Sequence, residues 1–434
     1  EKYYKSLEQS YESFQLGRNA LISRVSAQDL EKSNSHQLSV AKSIARNFPN
    51  NYPSKQLLVD VSELATHDAK SGVQRVVRSI LKELLKNPPS GYRVEPIYAT
   101  TSQGYRYARK FTLQFMDCPN SDFNDDLLEF HPDDIFMGLD LQPHVVPAHT
   151  DFFNDIRSKG VKTCFVVYDL LPVIHPEWFI NGAEGDFSNW LFEVARADGL
   201  VCISESTASE LKNWIAQNAT TNEYQKTNIS WFHLGADIDS SIPTTGCPEN
   251  FDEDMVKIKS KQSILMVGTL EPRKGYSYAL DALEELWTKE KDVNLIIVGK
   301  KGWMTDKLLE KIKSHPEYKK RLFWYNAISD EALLKLYSNV SGLLLTSEGE
   351  GFGLPIIEAA HHSLPVLVRD LPVFKEVAGN YASYFSDHSR NSLAQSIKRW
   401  LEAIEGGSES KGEPIVQCSW RQSANSLLES VLNI

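Results

Sequence analysis

The stretch Thr346-Ser-Glu-Gly-Glu-Gly-Phe-Gly-Leu-Pro-Ile-Ile-Glu358 decides how the rest of the chain is read. It follows a strand-sized apolar run, Gly342 to Leu345, passes through Gly349, Gly351 and Gly353, and enters a helical pattern with Pro355 in its first turn. Strand, glycine turn and helix in that order make the ligand-binding corner of an open parallel sheet. Glycines permit a tight turn and let an anion approach backbone N–H groups. The helix N-terminus adds roughly half a positive charge, which suits a diphosphate. Glu350 lies on the loop and Glu358 on the helix, so the two carboxylates address separate parts of one extended ligand. Taken alone, the loop is equally well explained as a strand–turn–helix whose glutamates cap and solvate the helix start.

Two other segments repeat the pattern. Ile264-Leu-Met-Val-Gly-Thr-Leu-Glu-Pro-Arg-Lys-Gly275 is again strand then glycine turn, beginning its turn at Gly268 and placing Arg273 and Lys274 just past a strand end. In a chain of net charge −11, two adjacent cations there form a focused positive spot of the kind a phosphate requires. Two solvated loop charges are the plain alternative. Ser71-Gly-Val-Gln-Arg-Val76 precedes a helix, and Gly72 brings backbone N–H groups against the same phosphates from an opposite wall. A glycine before a helix is also commonplace.

Outward from these corners the chain alternates short apolar runs with amphipathic segments. Strands are expected at 56–61, 92–98, 134–138, 162–167 and 199–203, and a second round at 263–267, 294–298, 321–324, 342–345 and 365–368. Residues 76, 77, 80, 81, 84 and 85 form a helical stripe. Such alternation implies parallel sheets covered on both faces. The expected division is a helical extension or linker over 1–54, a first α/β domain over 55–245, a second over 246–415, and a terminal helix from 416 to 434 that crosses back to the first. Length agrees, because 434 residues are roughly three times the ~150-residue prior for one domain.

Composition excludes several classes. With 41% hydrophobic and 24% charged residues the chain is globular and not disordered. Its acidic balance argues against a general nucleic-acid binder and against whole-surface attraction to anionic lipid. No apolar run approaches the ~18 residues of a membrane span. Five scattered cysteines without a CxxC pair argue against a disulfide framework or zinc site and for a reducing compartment. No signal peptide opens the chain, and a start at Glu1 suggests a fragment of a longer polypeptide.

The conjunction of motifs resembles one family. Glu350 to Glu358 matches the Glu-x7-Glu signature of retaining glycosyltransferases of family 4, which have the α/β GT-B fold of two facing Rossmann-like domains with a cleft between them. Gly268-Thr-Leu-Glu-Pro-Arg-Lys-Gly275 looks like that family's diphosphate-binding segment. Tyr168-Asp-Leu-Leu-Pro-Val-Ile-His-Pro-Glu-Trp178, Ile203-Ser-Glu-Ser-Thr-Ala208 and His233-Leu-Gly-Ala-Asp237 resemble segments of members that build bacterial polysaccharides such as O-antigen. The resemblance runs from about residue 56 to the end.

It implies that Glu358 binds ribose hydroxyls, and that Glu350, with the backbone of Gly351, Phe352, Gly353 and Leu354, holds the transferred sugar. Arg273 and Lys274 would neutralise the diphosphate on the Gly268 loop, with Gly72 closing from the first domain. The donor would be a nucleoside-diphosphate sugar, most readily GDP-mannose, with rhamnose or another hexose as the alternative. The acceptor would be a saccharide or lipid-linked glycan at the cytoplasmic face, reached by peripheral membrane contact or through a partner; the extension would join a further catalytic module or dock a partner. No cofactor and no metal are expected, since no Asp-x-Asp cluster is placed to hold one. A sugar-nucleotide hydrolase or epimerase of the same fold and a non-catalytic partner module are the other classes.

One departure stands at the end of the 162–167 strand, where many members carry a histidine and this chain has Tyr168 and Asp169. Asp169 is assigned to acceptor recognition or to orienting neighbours, with a strand-end cap as the equal alternative for both. Trp303 is expected to flank the nucleobase or to pack between domains, and Tyr325 and Asn326 are further base-edge candidates. Tyr105-Arg-Tyr107 is read as a sugar-stacking acceptor surface. His175, His361 and His362 are read as structural.

Overall fold

The computed structural model describes residues 55–434 except 69–70, 119–122, 219–226, 236–243, 290, 387–388 and 409–417, together with residues 39, 40 and 43. The helical extension expected over 1–54 otherwise lies outside the described residues, as does Asp237.

Gln56-Leu-Leu-Val-Asp60 is buried along its whole length, which a strand needs when both faces of its sheet are covered. It is the centre of a seven-stranded sheet: β1 (Lys55–Asp60), β2 (Tyr92–Thr100), β3 (Gln103–Tyr107), β4 (Ile135–Gly138), β5 (Lys162–Val167), β6 (Gly199–Cys202) and β7 (Asn228–Trp231), in the order β3-β2-β1-β4-β5-β6-β7. A second sheet holds β8 (Ser263–Val267), β9 (Asn294–Val298), β10 (Leu322–Tyr325), β11 (Gly342–Leu345), β12 (Val366–Arg369) and β13 (Ala382–Phe385), in the order β10-β9-β8-β11-β12-β13. In each sheet the order reverses beside its first strand, between β1 and β4 and between β8 and β11. A crevice opens there at the strand C-termini.

All pairings are parallel except that of β3 with β2, so the first sheet is mixed where an all-parallel one was expected. The cause is a tight return at Thr100–Gln103, where the Gln103 N–H donates to Thr100 Oγ1 at 3.0 Å. This also corrects the reading of Tyr105-Arg-Tyr107 as an acceptor surface. Tyr105 and Tyr107 are only 3% and 4% exposed. Tyr105 donates to Asp60 at 2.9 Å, and Tyr107 to Gln56 and the Glu129 carbonyl.

Six helices frame the crevices: α1 (Gly72–Lys86), α2 (Glu205–Asn218), α3 (Tyr276–Thr288), α4 (Leu354–His361), α5 (Pro372–Ala378) and α6 (Trp420–Leu432). α1 buries Val76, Val77, Ile80, Leu81 and Leu84 of the predicted stripe, leaves Leu85 half-buried, and begins with a capping box between Ser71 and Gln74. α6 returns to the first sheet and packs on α1. Its passage requires Gly235, where a Cβ would lie 2.4 Å from the Trp420 nitrogen. Among the described residues no helix is long and apolar enough to cross a membrane.

Candidate functional site

The loops after β8 and β11 meet at the second crevice. Gly268 has φ +143° and its carbonyl accepts from the Tyr276 hydroxyl at 2.6 Å. A single 3₁₀ turn, Pro272–Lys274, then ends at Gly275 (φ +68°), whose Cβ position is 2.5 Å from the Thr346 carbonyl. No other residue both adopts that φ and fits that gap. The Thr346 hydroxyl donates to the carbonyls of Lys274 and Gly275, and the Glu348 N–H to that of Arg273 at 2.7 Å. Two loops more than 70 residues apart in sequence are therefore stitched by hydrogen bonds to backbone carbonyls.

Their side chains form one ionic cluster. Lys274 Nζ lies 2.5 Å from Glu350 Oε1, and Arg273 Nη1 lies 3.1 Å from Glu350 Oε2 and 2.9 Å from the Gly349 carbonyl. Arg273 Nε donates to Glu271 at 2.8 Å, and Ser347 Oγ to Glu350 at 2.7 Å. Burial raises the Glu350 carboxyl, but Lys274 and Arg273 override it and hold the group at about 2. Asp169 reaches the same cluster from the end of β5. Burial pushes its carboxyl up against the opposing pull of Arg273, and its Oδ1 accepts from the Leu171 N–H at 3.2 Å.

The expectation of a focused positive spot needs correcting. Glu271, Glu350 and Asp169 surround the two cations, because buried cations need partners or they cost several kcal/mol each. The charge is present but balanced, and it is available to an anion only by exchange of partners.

Glu358 lies on α4, whose first turn follows Gly353 (φ +100°) and carries Leu354 and Pro355. It is 3% exposed and fully engaged: Arg75 Nη1 donates to Oε1 at 2.6 Å and the Tyr337 hydroxyl to Oε2 at 2.7 Å. Gly72 opens the helix that carries Arg75, and no atom lies within 4 Å of its Cβ position, so it is not a packing glycine. Sequence reasoning missed Arg75 and Tyr337 as site residues. Arg75 stood inside the quoted 71–76 segment, one turn after its glycine; Tyr337 gave no signal, because a helix-end tyrosine reads as core.

The first domain covers the glycine loop directly. A Cβ on Gly351 would lie 2.0 Å from the Tyr168 carbonyl, and one on Gly349 2.8 Å from Leu171 Cδ2 and from Trp178 Cζ3. Ser204 Oγ donates to the Gly351 carbonyl at 2.8 Å. These two glycines therefore answer the approach of the facing domain, where an approaching anion was expected. Phe352, next after Gly351, is buried beside His233, at 5.7 Å between ring centroids. Farther out, Glu376 of α5 accepts from the first N–H groups of α2, Glu205 and Ser206, and pairs with His233 Nε2 at 2.9 Å.

Gly351→Ala is expected to force this contact apart. Overpacking of this kind costs ~1–3 kcal/mol, and urea unfolding of the variant beside Gly72→Ala, whose Cβ position is open, would measure it.

The remaining candidates take interdomain or supporting places. Trp303 donates its indole N–H to the Trp178 carbonyl at 2.7 Å and stacks on Phe179, which is the packing alternative. Tyr325 donates to Asp254, and Asn326 accepts from the Lys301 N–H. The Tyr168 hydroxyl is buried on the Leu139 carbonyl at 2.7 Å, a strand-end tether. His175 stacks on Trp178 and His362 on Tyr337.

The profile of the family described as glycosyl transferases group 1 matches residues 249–406, the span that contributes both stitched loops. The serotype-specific mannosyltransferase WbdA of Escherichia coli is 44% identical over 400 residues, which are 91% of this chain and 47% of WbdA. The chain thus spans about half the length of that relative. The O-antigen chain mannosyltransferase RfbU of Salmonella typhimurium is 33% identical over 147 residues, 33% of this chain and 40% of RfbU. HepE of Anabaena, solved with UDP and glucose, superposes with a TM-score of 0.60 over 88% of this chain and 100% of HepE, at 15% identity. A glycosyltransferase of Rickettsia africae gives 0.58 over 88% and 99%, at 17% identity. At such identities the likeness is one of fold, and that fold is GT-B, two facing α/β domains of which the second contains the matched residues 249–406.

Proposed function

We propose that the chain is a retaining mannosyltransferase module that moves mannose from GDP-mannose onto a growing cell-surface polysaccharide. The observation that carries this is the meeting of Arg273, Lys274 and Glu350 where the order of the second sheet reverses, next to the N-terminus of α4. The names of WbdA and RfbU point to mannose and to O-antigen.

Donor binding is then an exchange of partners. The diphosphate takes the Arg273 and Lys274 donors now held by Glu350, and Glu350 turns to hydroxyls of the sugar. Glu358 trades Arg75 for the ribose hydroxyls, which frees a third cation from the first domain. The diphosphate gains charge as its bond to the anomeric carbon breaks, so fixed cations and helix N–H groups favour the transition state over the ground state. The acceptor oxygen bonds to the anomeric carbon on the face the leaving group vacates, and its proton passes to the leaving phosphate oxygen. This front-face path retains configuration without a covalent sugar–enzyme bond. A carboxylate as strongly paired as Glu350 suits a positioning role better than a nucleophilic one. The cations supply the charge that a metal would otherwise bring. The enzyme would work peripherally at the cytoplasmic face on a lipid-linked acceptor.

A panel of nucleotide sugars read by thermal stabilisation tests the donor. At 100 times its Kd a true donor adds about 2.7 kcal/mol. GDP-mannose is expected to lead, and UDP sugars belong in the panel because HepE was solved with UDP. Stabilisation by GDP-mannose with release of free mannose and no transfer to a mannoside would instead indicate a hydrolase.

A further inference from the structure

The first domain has a second concavity that the donor site leaves unused. A cavity of about 450 Å³ lies between α2 and the helix Ala183–Val194, over Val173 and Ile174. Small-molecule sites span ~300–1,000 Å³. One wall is aromatic, with Trp214 and Phe192 at 5.1 Å between ring centroids. Among the described residues, the polar lining includes Glu184 and Glu210, amides of α2, and no lysine or arginine. Two carboxylates without a cation disfavour a phosphate or any other anion. They suit a neutral ring whose C–H face lies on an aromatic side chain and whose hydroxyls donate to carboxylates and amides.

Glu210 has no hydrogen-bond or ion-pair partner among the described residues. Burial lifts its carboxyl to about 7, and repulsion from Asp169 adds to the rise. The floor of the cavity connects it to the donor site. The helix Leu171–Ile174 starts two residues after Asp169, and Leu171 is the side chain that crowds Gly349. One helical turn has the donor loop on one side and the cavity on the other.

We propose that this cavity is an acceptor subsite, which holds an internal neutral sugar of the growing chain while the terminal sugar reaches the donor beside Glu350. The inference rests on the transferase reading and adds where the chain is gripped. A subsite of this kind makes the enzyme prefer long acceptors over short ones.

Calorimetric titration without donor, using α-linked mannotetraose and methyl α-mannoside, tests it on the whole chain. The wild-type protein is expected to bind the tetraose at least tenfold more tightly. Trp214→Ala and the near-isosteric Glu210→Gln should each abolish most of that difference. In transfer assays they should raise KM for the tetraose about tenfold and that for the monosaccharide less than twofold, with GDP-mannose stabilisation unchanged. Equal losses with both acceptors, or none with either, would overturn the subsite. Transfer without any tetraose preference removes the subsite and leaves the transferase reading. Tetraose binding that depends on Trp214 and Glu210, without consumption of any nucleotide sugar, does the reverse.

Discussion

Lys274→Ala is expected to lower turnover by on the order of 10²–10³-fold while weakening donor binding by less than tenfold. Lys274 Nζ is held 2.5 Å from Glu350, with a side chain only 16% exposed, so its charge is aimed and poorly screened. In the proposed mode of donor binding, the diphosphate is already shared before reaction among Arg273, Lys274 and the first N–H groups of α4. Losing one of these removes part of a multidentate grip. During reaction the leaving oxygen gains charge, and the missing cation is felt most at that point. Steady-state rates with GDP-mannose, together with donor Kd from calorimetry, separate the two effects. Equal loss in Kd with unchanged turnover would sink the assignment of Lys274 to the leaving group. Arg273→Ala should behave similarly but also destabilise the fold, since Arg273 ties Glu271, Gly349 and Glu350 together.

Glu350→Ala has the larger structural effect. It strips Lys274, Arg273 and Ser347 of a shared acceptor and leaves two cations in a site where Glu350 itself was 10% exposed. Breaking a buried pair from one side costs ~3–5 kcal/mol, and activity should fall below detection. Glu350→Gln keeps the shape, restores part of the stability and not the activity. The pH dependence follows from the sign of the shift. The folded-state carboxyl stands at about 2, below its ordinary 4.5. Its contribution is full above the ordinary value and is lost as pH falls through the folded one. Urea unfolding of the wild-type protein between pH 5 and 3 should therefore lose stability that Glu350→Gln does not lose. If Glu350 were a nucleophile, azide added to Glu350→Ala would yield a mannosyl azide; the front-face path predicts none.

Much of this was legible in the sequence because strands and glycine corners are local. The runs 263–267, 294–298 and 342–345 hold their predicted bounds, since a strand covered on both faces is a nearly continuous apolar run, here with a buried Ser263 or Asn294 only at its start. β3 was misread because an aromatic edge strand and an aromatic surface have the same composition. Gly349 and Gly351 were assigned to an anion because a sequence does not say that the Tyr168 carbonyl lies 2.0 Å from one missing Cβ and the Leu171 and Trp178 side chains 2.8 Å from the other.

By itself the sequence determined two rounds of alternating strand and helix, the strand-end loops that carry cations and carboxylates, and the period that buries one face of α1. Those depend on spacing within a few residues. Tertiary structure alone decided that Arg75 would grip Glu358 from 283 positions away, that the cationic pair would be balanced by three carboxylates, and that Trp303 would tie the domains together. Each is a contact between distant segments, and its geometry is set by how the sheets and helices pack, which no local pattern encodes.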